Sequence, residues 1–251
     1  MKDNKIQLAA KWVVEFDKIV IFTGAGVSTE SGLPDFRGPN GVWTRRDKGL
    51  PPPRIRVPWS EVKPNPAHLI LVELQNRGKL DFLISQNVDN LHLKSGILPE
   101  KIAELHGNTT LMRCLDCDRQ FKKQAVGWDE ATWGKGYRTM RPKKGQPNCP
   151  NCGGRLISSV VNFGDPLPAK DLKLAKQHSM TCDLFIAIGS SLVVTPAAEI
   201  PRYALEAGAK FILINKGETP YDDLAHLRFD GKAGMIMSAI IEKVKQMLDI
   251  S

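Results

Sequence analysis

Four cysteines in two tight pairs, Cys114-x2-Cys117 and Cys149-x2-Cys152, constrain this 251-residue chain more than any other feature. A C-x2-C turn presents two thiolates to one ion, and two such turns complete a tetrahedral shell of the kind zinc prefers. Four thiolates leave no position for water or substrate. The ion therefore holds structure together, and the chemistry lies elsewhere. The 31 residues between the pairs are polar with little periodicity, which suits a small module stapled by metal. Its bounds read as 111–156. The fifth cysteine, Cys182, opens the apolar run Asp183-Leu184-Phe185-Ile186-Ala187-Ile188 and reads as a small buried hydrophobe.

Around this module, short apolar strands alternate with helices. Residues 18–23 form a β-branched and aromatic run that ends in glycine, and 81–85, 101–105, 156–163, 184–188 and 210–214 are likewise strand-like. Helical spacing covers 5–16, 67–77, 169–178, 197–207 and 233–248. The alternation predicts an α/β fold: a Rossmann-like doubly wound parallel sheet built from 1–110 and 157–251, with the zinc module inserted. Residues 33–65 are rich in Pro, Gly and Arg and read as a long irregular loop of the kind that serves function. The first ten residues lack an apolar signal core, and no run of about 18 apolar residues occurs, so neither secretion nor a membrane span is expected. A reducing cytoplasm fits the thiols. The net charge of +8 leaves two readings open: contact with nucleic acid, chromatin or acidic partners, or simply a lysine-rich surface.

Strand C-termini are where such sheets bind ligands, and several here end in glycine or polar residues. Thr23-Gly24-Ala25-Gly26-Val27-Ser28-Thr29 follows the first strand. Its glycines would let the backbone approach a pyrophosphate, with the next helix N-terminus offering free N–H groups. Thr29 stands at the third glycine position of G-x-G-x-x-G, and no acidic residue follows about twenty positions on. Alone, the turn is either a dinucleotide site or a tight structural turn. Ser85-Gln86-Asn87-Val88-Asp89-Asn90-Leu91-His92, Leu105-His106-Gly107-Asn108, Gly189-Ser190-Ser191-Leu192 and Ile214-Asn215-Lys216 cap the later strands.

Taken in order, GAGxS, Pro34-Asp35-Phe36-Arg37-Gly38, QNxDxLH, HGN, the paired cysteines and GxSL make the chain resemble the sirtuins from about Ile19 to Lys243. The resemblance implies an NAD-dependent protein lysine deacylase, a transferase yielding nicotinamide, O-acyl-ADP-ribose and free lysine. The alternative it carries is a protein mono-ADP-ribosyltransferase using the same NAD pocket. In sirtuin chemistry the acyl-lysine oxygen attacks C1′ of the nicotinamide ribose, and a histidine then acts as general base on a ribose hydroxyl. His106 matches that histidine, and an imidazole with a pKa near 6.5 suits the task.

Asn87 and Asp89 match positions that hold the nicotinamide amide and an ordered water, and Asn87 counts as catalytic with His106. Gln86 matches a ribose contact, Phe36 a shield over C1′, and Arg37 a phosphate or ribose contact. Ser190, Ser191 and Asn215 are expected at the adenosine half. Gly24, Ala25, Gly26, Ser28, Thr29, Asp35, Gly189 and Ala233 complete the implied cofactor contacts. The loop through Trp43 is similar to a branch that includes nuclear, chromatin-associated members, in which a tryptophan packs at the cofactor. Val160, Val161, Asn162, Phe163 and Gly164 resemble the strand that pairs with substrate peptide, Phe163 walling the acyl tunnel. Acidic acyl groups are associated with a Tyr–Arg pair; this loop has Arg45, Arg46, Arg54 and Arg56 but no tyrosine, so neutral acyl chains are expected. Ser190 replaces the threonine of many relatives, and 44–65 is short and proline-rich, leaving deacetylation, long-chain deacylation and ADP-ribosylation in competition. His68, His178 and His226 read as surface residues and His92 as structural.

Overall fold

The computed structural model describes residues 2–54 and 57–249, so Arg56 lies outside the described residues. From the N-terminus the chain forms α1 (Lys2–Glu15), β1 (Ile19–Thr23), α2 (Val42–Asp47), α3 (Pro66–Asn76), β2 (Leu80–Ser85), α4 (Leu91–Ser95) and β3 (Ile102–Glu104). The cysteine region follows with β4 (Leu111–Cys114), β5 (Gln120–Lys122), α5 (Glu130–Trp133) and β6 (Leu156–Ser158). The chain closes with α6 (Ala169–Ser179), β7 (Leu184–Ile188), α7 (Ile200–Glu206), β8 (Lys210–Asn215), β9 (Leu227–Asp230) and α8 (Ala233–Asp249).

Six strands make one parallel sheet in the order β3-β2-β1-β7-β8-β9. Every residue of β1 and β7 is buried, as a sheet covered on both faces requires. Side chains alternate between the two covers. Ile19 and Ile21 enter the cluster shared with α1, α3 and α8, whereas Val20 and Phe22 enter the cluster shared with α6 and α7. Helix α3 starts where its sequence dictates: the Asn65 side chain accepts from Ala67 N–H at 2.9 Å, His68 Nδ1 accepts from Asn65 N–H at 3.3 Å, and Pro66 fills the first turn. The order of strands reverses between β1 and β7, so a crevice opens at their C-terminal ends. The α/β doubly wound expectation holds.

A second, antiparallel sheet, β5-β4-β6, carries the cysteine region. Regular structure here, including α5, exceeds the sequence expectation, and Met112, Trp128 and Leu156 give it a small apolar cluster. Three further differences have physical reasons. The expected strand over 156–163 stops at Ser158, because Ser159 turns away to bond the loop after β3. The loop at 33–65 contains α2, held by Arg45 N–H donating to Gly41 O at 2.9 Å. Strand β9 was not expected, since Leu227 and Phe229 alternate over only four residues at the sheet edge. Among the described residues no helix is long and apolar enough to cross a membrane.

Candidate active site and metal centre

The Sγ atoms of Cys114, Cys117, Cys149 and Cys152 all lie within 4.8 Å of one another. Cys114 and Cys152 are 3.5 Å apart, Cys117 and Cys149 3.6 Å. Zinc–sulfur bonds of about 2.3 Å in a tetrahedron need sulfurs about 3.8 Å apart, so the donor set fits zinc. Strand β4 brings Cys114 to its end, and the bridge between Asn148 and Arg155 closes the turn bearing the second pair. The position of these four thiols fits a structural ion.

At the crevice, the glycine turn and the end of β7 meet backbone to backbone. Gly24 N–H donates to Ile188 O at 3.0 Å and Gly26 N–H to Gly189 O at 2.8 Å. A Cβ on Gly26 would sit 2.7 Å from Gly189 Cα, which no side chain tolerates. The segment after the turn is a seven-residue 3-10 helix, Ala25–Ser31, where the sequence pattern led us to expect an ordinary helix start. Its Ser28 is buried and donates to Asp89 Oδ2 at 2.7 Å, while Asn87 Nδ2 donates to Ser28 Oγ at 3.2 Å. Burial pushes the Asp89 carboxyl above the usual carboxylate range, against the pull of Ser28 and Leu91 N–H. Gln86 Nε2 donates to Ser190 Oγ at 2.6 Å, joining the two sides of the switch point.

The remaining expected cofactor residues fall into five places. Asn215, buried at the end of β8, turns its amide to the carbonyls of Lys216 and Gly217. Ser191 follows Ser190 on the β7 loop, and Ala233 is buried at the start of α8, whose Gly234 N–H donates to Glu30 Oε2. Thr29 is exposed and bonds Gly26 O; Ala25 is half-buried beside it. Asp35 Oδ1 accepts from Gly38 N–H at 3.0 Å, and burial raises its carboxyl, so it closes the loop. Phe36 stacks on Trp43 at 5.9 Å between ring centroids, and Trp43 meets Phe163 edge-on at 5.7 Å. Arg46 covers the Trp43 ring at 4.4 Å, and Arg37 pairs with Asp47.

His106 is the best-defined group. Its Nδ1 lies 2.9 Å from Gln86 O. A carbonyl only accepts, so Nδ1 carries the hydrogen and Nε2 keeps its lone pair. Burial lowers the imidazole below its ordinary pKa, and the bond to Gln86 partly restores it. The sequence expectation of an unperturbed imidazole is corrected to that extent. His106 O accepts from Val161 N–H at 2.9 Å. Gly107 has φ +77°, and a Cβ there would lie 1.9 Å from Ser159 O. His106 and the segment Val160–Gly164 are therefore one packed unit. That segment is not a strand; among the described residues the carbonyls of Val160 and Val161 accept no hydrogen bond, and Phe163 is 76% exposed.

Two residues had been missed. Ser159 bonds Asn108 twice, by its Oγ accepting from Asn108 N–H at 2.9 Å and donating to Asn108 O at 2.8 Å, and nothing in its sequence context marks it. Glu104 is buried, and the signal was there: a carboxylate inside the apolar run Ile102-Ala103-Glu104-Leu105.

Two of the supposed surface histidines are not at the surface. His68 is fully buried beneath the crevice, its ring 4.9 Å from that of buried His92, and His92 Nε2 lies 2.9 Å from Thr23 Oγ1. His178 is half-buried, stacked on Phe82 and bonded to Asp81 at 2.6 Å; His226 is exposed, as expected. Burial lowers His68 to about 4, and burial with the charge of His68 lowers His92 as well. The unfolded chain takes up these protons near pH 6.5, the folded chain only well below it. Their contribution to stability is thus full above about 6.5 and is lost as pH falls toward 4. Calorimetry should show Tm falling by at least about 5 °C between pH 7 and pH 5, and a smaller fall in His68→Gln. An identical acid slope in that variant would refute the assignment.

A doubly wound sheet with a polar crevice at its switch point and a four-thiolate centre on a second sheet defines the class. Residues 53–196 match the family model described as Sir2 family. The chain is 36% identical over 248 residues to the NAD-dependent protein deacetylase SRT1 of Arabidopsis thaliana, covering 97% of this chain and 50% of that one. It is 36% identical over 266 residues to the NAD-dependent protein deacylase 2 of Archaeoglobus fulgidus, covering 98% of both. Its fold is similar to that of Sir2Af2 bound to a myristoylated histone peptide, with a TM-score of 0.68 at 32% identity and 99% of each chain covered. The chain belongs to the Sir2 family. It spans about half the length of the plant relatives it matches.

Proposed function

We propose that the chain is an NAD-dependent protein lysine deacylase that acts on neutral acyl groups and produces nicotinamide, O-acyl-ADP-ribose and free lysine. One observation carries this reading above the others. A histidine with its Nδ1–H donated to Gln86 O keeps Nε2 free as a base, and Gln86 is itself bonded to Ser190 across the switch-point crevice. The names of the relatives support it.

The crevice residues fit NAD: a glycine floor too tight for any side chain, and buried amide, hydroxyl and carboxyl groups above it. When bound, NAD supplies a ribose whose C1′ bears a leaving nicotinamide. His106 Nε2 would take the proton of a ribose hydroxyl, and the Gln86 carbonyl would steady the resulting imidazolium through Nδ1–H. Asn87 and Asp89, aligned through Ser28, present both donor and acceptor groups to a carboxamide. Phe36 and Trp43 would keep water from the sugar, with Arg37 beside a phosphate or ribose. Gln86 would hold a ribose, while Ser190, Ser191 and Asn215 would take the adenosine half, Asn215 through Oδ1. Gly24, Ala25, Gly26, Gly189, Thr29, Asp35 and Ala233 would frame the phosphates and loop.

The open carbonyls of Val160 and Val161 suit pairing with an extended peptide, Asn162 and Gly164 continue that edge, and exposed Phe163 would line the acyl channel. Residues 111–156 would act as the zinc module of a Rossmann-like enzyme working in the cytoplasm. There its thiols stay reduced, and the net charge of +8 favours acidic partners or nucleic acid.

Incubating acetyl-lysine and myristoyl-lysine peptides with NAD tests the reaction by mass spectrometry. Loss of the acyl mass together with nicotinamide release is expected. Gain of an ADP-ribose mass on protein would move the chain to mono-ADP-ribosyl transfer, and absence of NAD consumption would end the proposal.

A further inference from the structure

We propose that Glu104 positions His106: through Asn108 its side chain fixes the turn that presents the base to the crevice, and the charge on Glu104 alters that support. This rests on the reading of His106 as the base. Glu104 ends β3, is 8% exposed, and lies in register with Ser85. Its carbonyl accepts from Gly107 N–H at 2.9 Å, and its Oε1 accepts from Asn108 Nδ2 at 2.8 Å.

Asn108 has no freedom left. Its second Nδ2 hydrogen goes to Asn90 Oδ1 at 2.9 Å, and its Oδ1 accepts from Thr110 N–H at 2.9 Å and Thr110 Oγ1 at 2.7 Å. An asparagine side chain has two donors and two acceptor sites, and all four are used. Its backbone is clamped to Ser159 on both sides, and the next residues of that segment hold His106 O through Val161 N–H. Glu104 is the one ionisable member of this network. Changing its charge changes the support of the turn that carries the base.

The groups around Glu104 oppose a negative charge. From α6 comes the Asp171 carboxylate, and from the loop after β2 that of Asp89. Arg113, Asp118 and Lys170 surround Asp171 in turn. Burial first, and the two carboxylates after it, push the Glu104 carboxyl up to about 8, against the hydrogen bond from Asn108. A raised carboxyl favours the fold while protonated, and that contribution is lost as pH rises through the folded value. Burial therefore favours the protonated form of Glu104 at neutral pH. Above about 8 it becomes a third negative group in one buried wall.

Glu104→Gln keeps a neutral acceptor for Asn108, whereas Glu104→Ala removes it. With an acyl-lysine peptide and NAD, kcat of the wild type should fall above about pH 8. The alanine variant should lose about 10–100-fold in kcat at pH 7 with KM for NAD little changed, as expected when a reacting group is misplaced. Glutamine should restore most of that loss and remove the alkaline fall. In parallel, the Asn108 side-chain amide, followed by NMR, should titrate near pH 8 in the wild type and stay flat in Glu104→Gln. An alkaline fall that persists in the glutamine variant, or a wild-type amide that does not titrate, overturns the proposal. A wild type that turns over no acyl peptide defeats the functional reading instead, and the amide titration still decides the part played by Glu104.

Discussion

Cys149→Ser should lose its zinc and melt about 10 °C below the wild type. The second sheet has little else to hold it: its apolar cluster is Met112, Trp128 and Leu156 together with two of the cysteines themselves. A structural zinc in small domains supplies much of the folding free energy, and a few kcal/mol lost from a chain of this size lowers Tm by several degrees each. The large parallel sheet has its own two-sided core, so it should melt separately and later. The damage should also reach the crevice, because β6 runs directly into Ser159 and the segment bonded to His106. Metal content and calorimetry on the same sample check this. A zinc-free variant with wild-type melting would remove the structural role.

His106→Ala should lower kcat by about 10²–10⁴-fold, the usual contribution of a positioned general base, while leaving the Kd for NAD close to wild type. The pH profile adds a second, independent test. A histidine acting as a base works only when neutral, and burial lowers the pKa of His106, so it stays neutral to a lower pH than an exposed histidine. Activity should fall on the acid side through a value below 6.5. An acid limb centred above 6.5 would mean that a different group is being protonated. Unimpaired turnover in the alanine variant would mean that the crevice works without this imidazole.

Parts of this architecture were legible before any coordinates. The fully apolar runs of β1 and β7 can be buried only between two layers, and apolar spacing over 67–77 announces helix α3. The cysteine pairs announced their cluster, since two residues of spacing bring two thiolates to one point. Other parts were hidden for equally physical reasons. Strand β9 has four residues and two buried side chains, too few for a periodic signal. Val160 to Phe163 is apolar enough for a strand, yet Ser159 diverts it to the loop after β3. His68 reads as a surface residue until α3 packs against the crevice and seals it in.

The sequence by itself therefore determined what depends on neighbours along the chain: the thiolate pairs, the capped helix, the glycine turn and the alternating apolar strands. Only tertiary structure decided which of these meet. Ser28 reaches Asp89 across 61 residues, and Gln86 reaches Ser190 across 104. Those meetings follow from β1 lying between β2 and β7, a choice made by the packing of whole layers. The same packing withdraws water from His106, Glu104 and His68, and so shifts their protonation in ways that local composition does not encode.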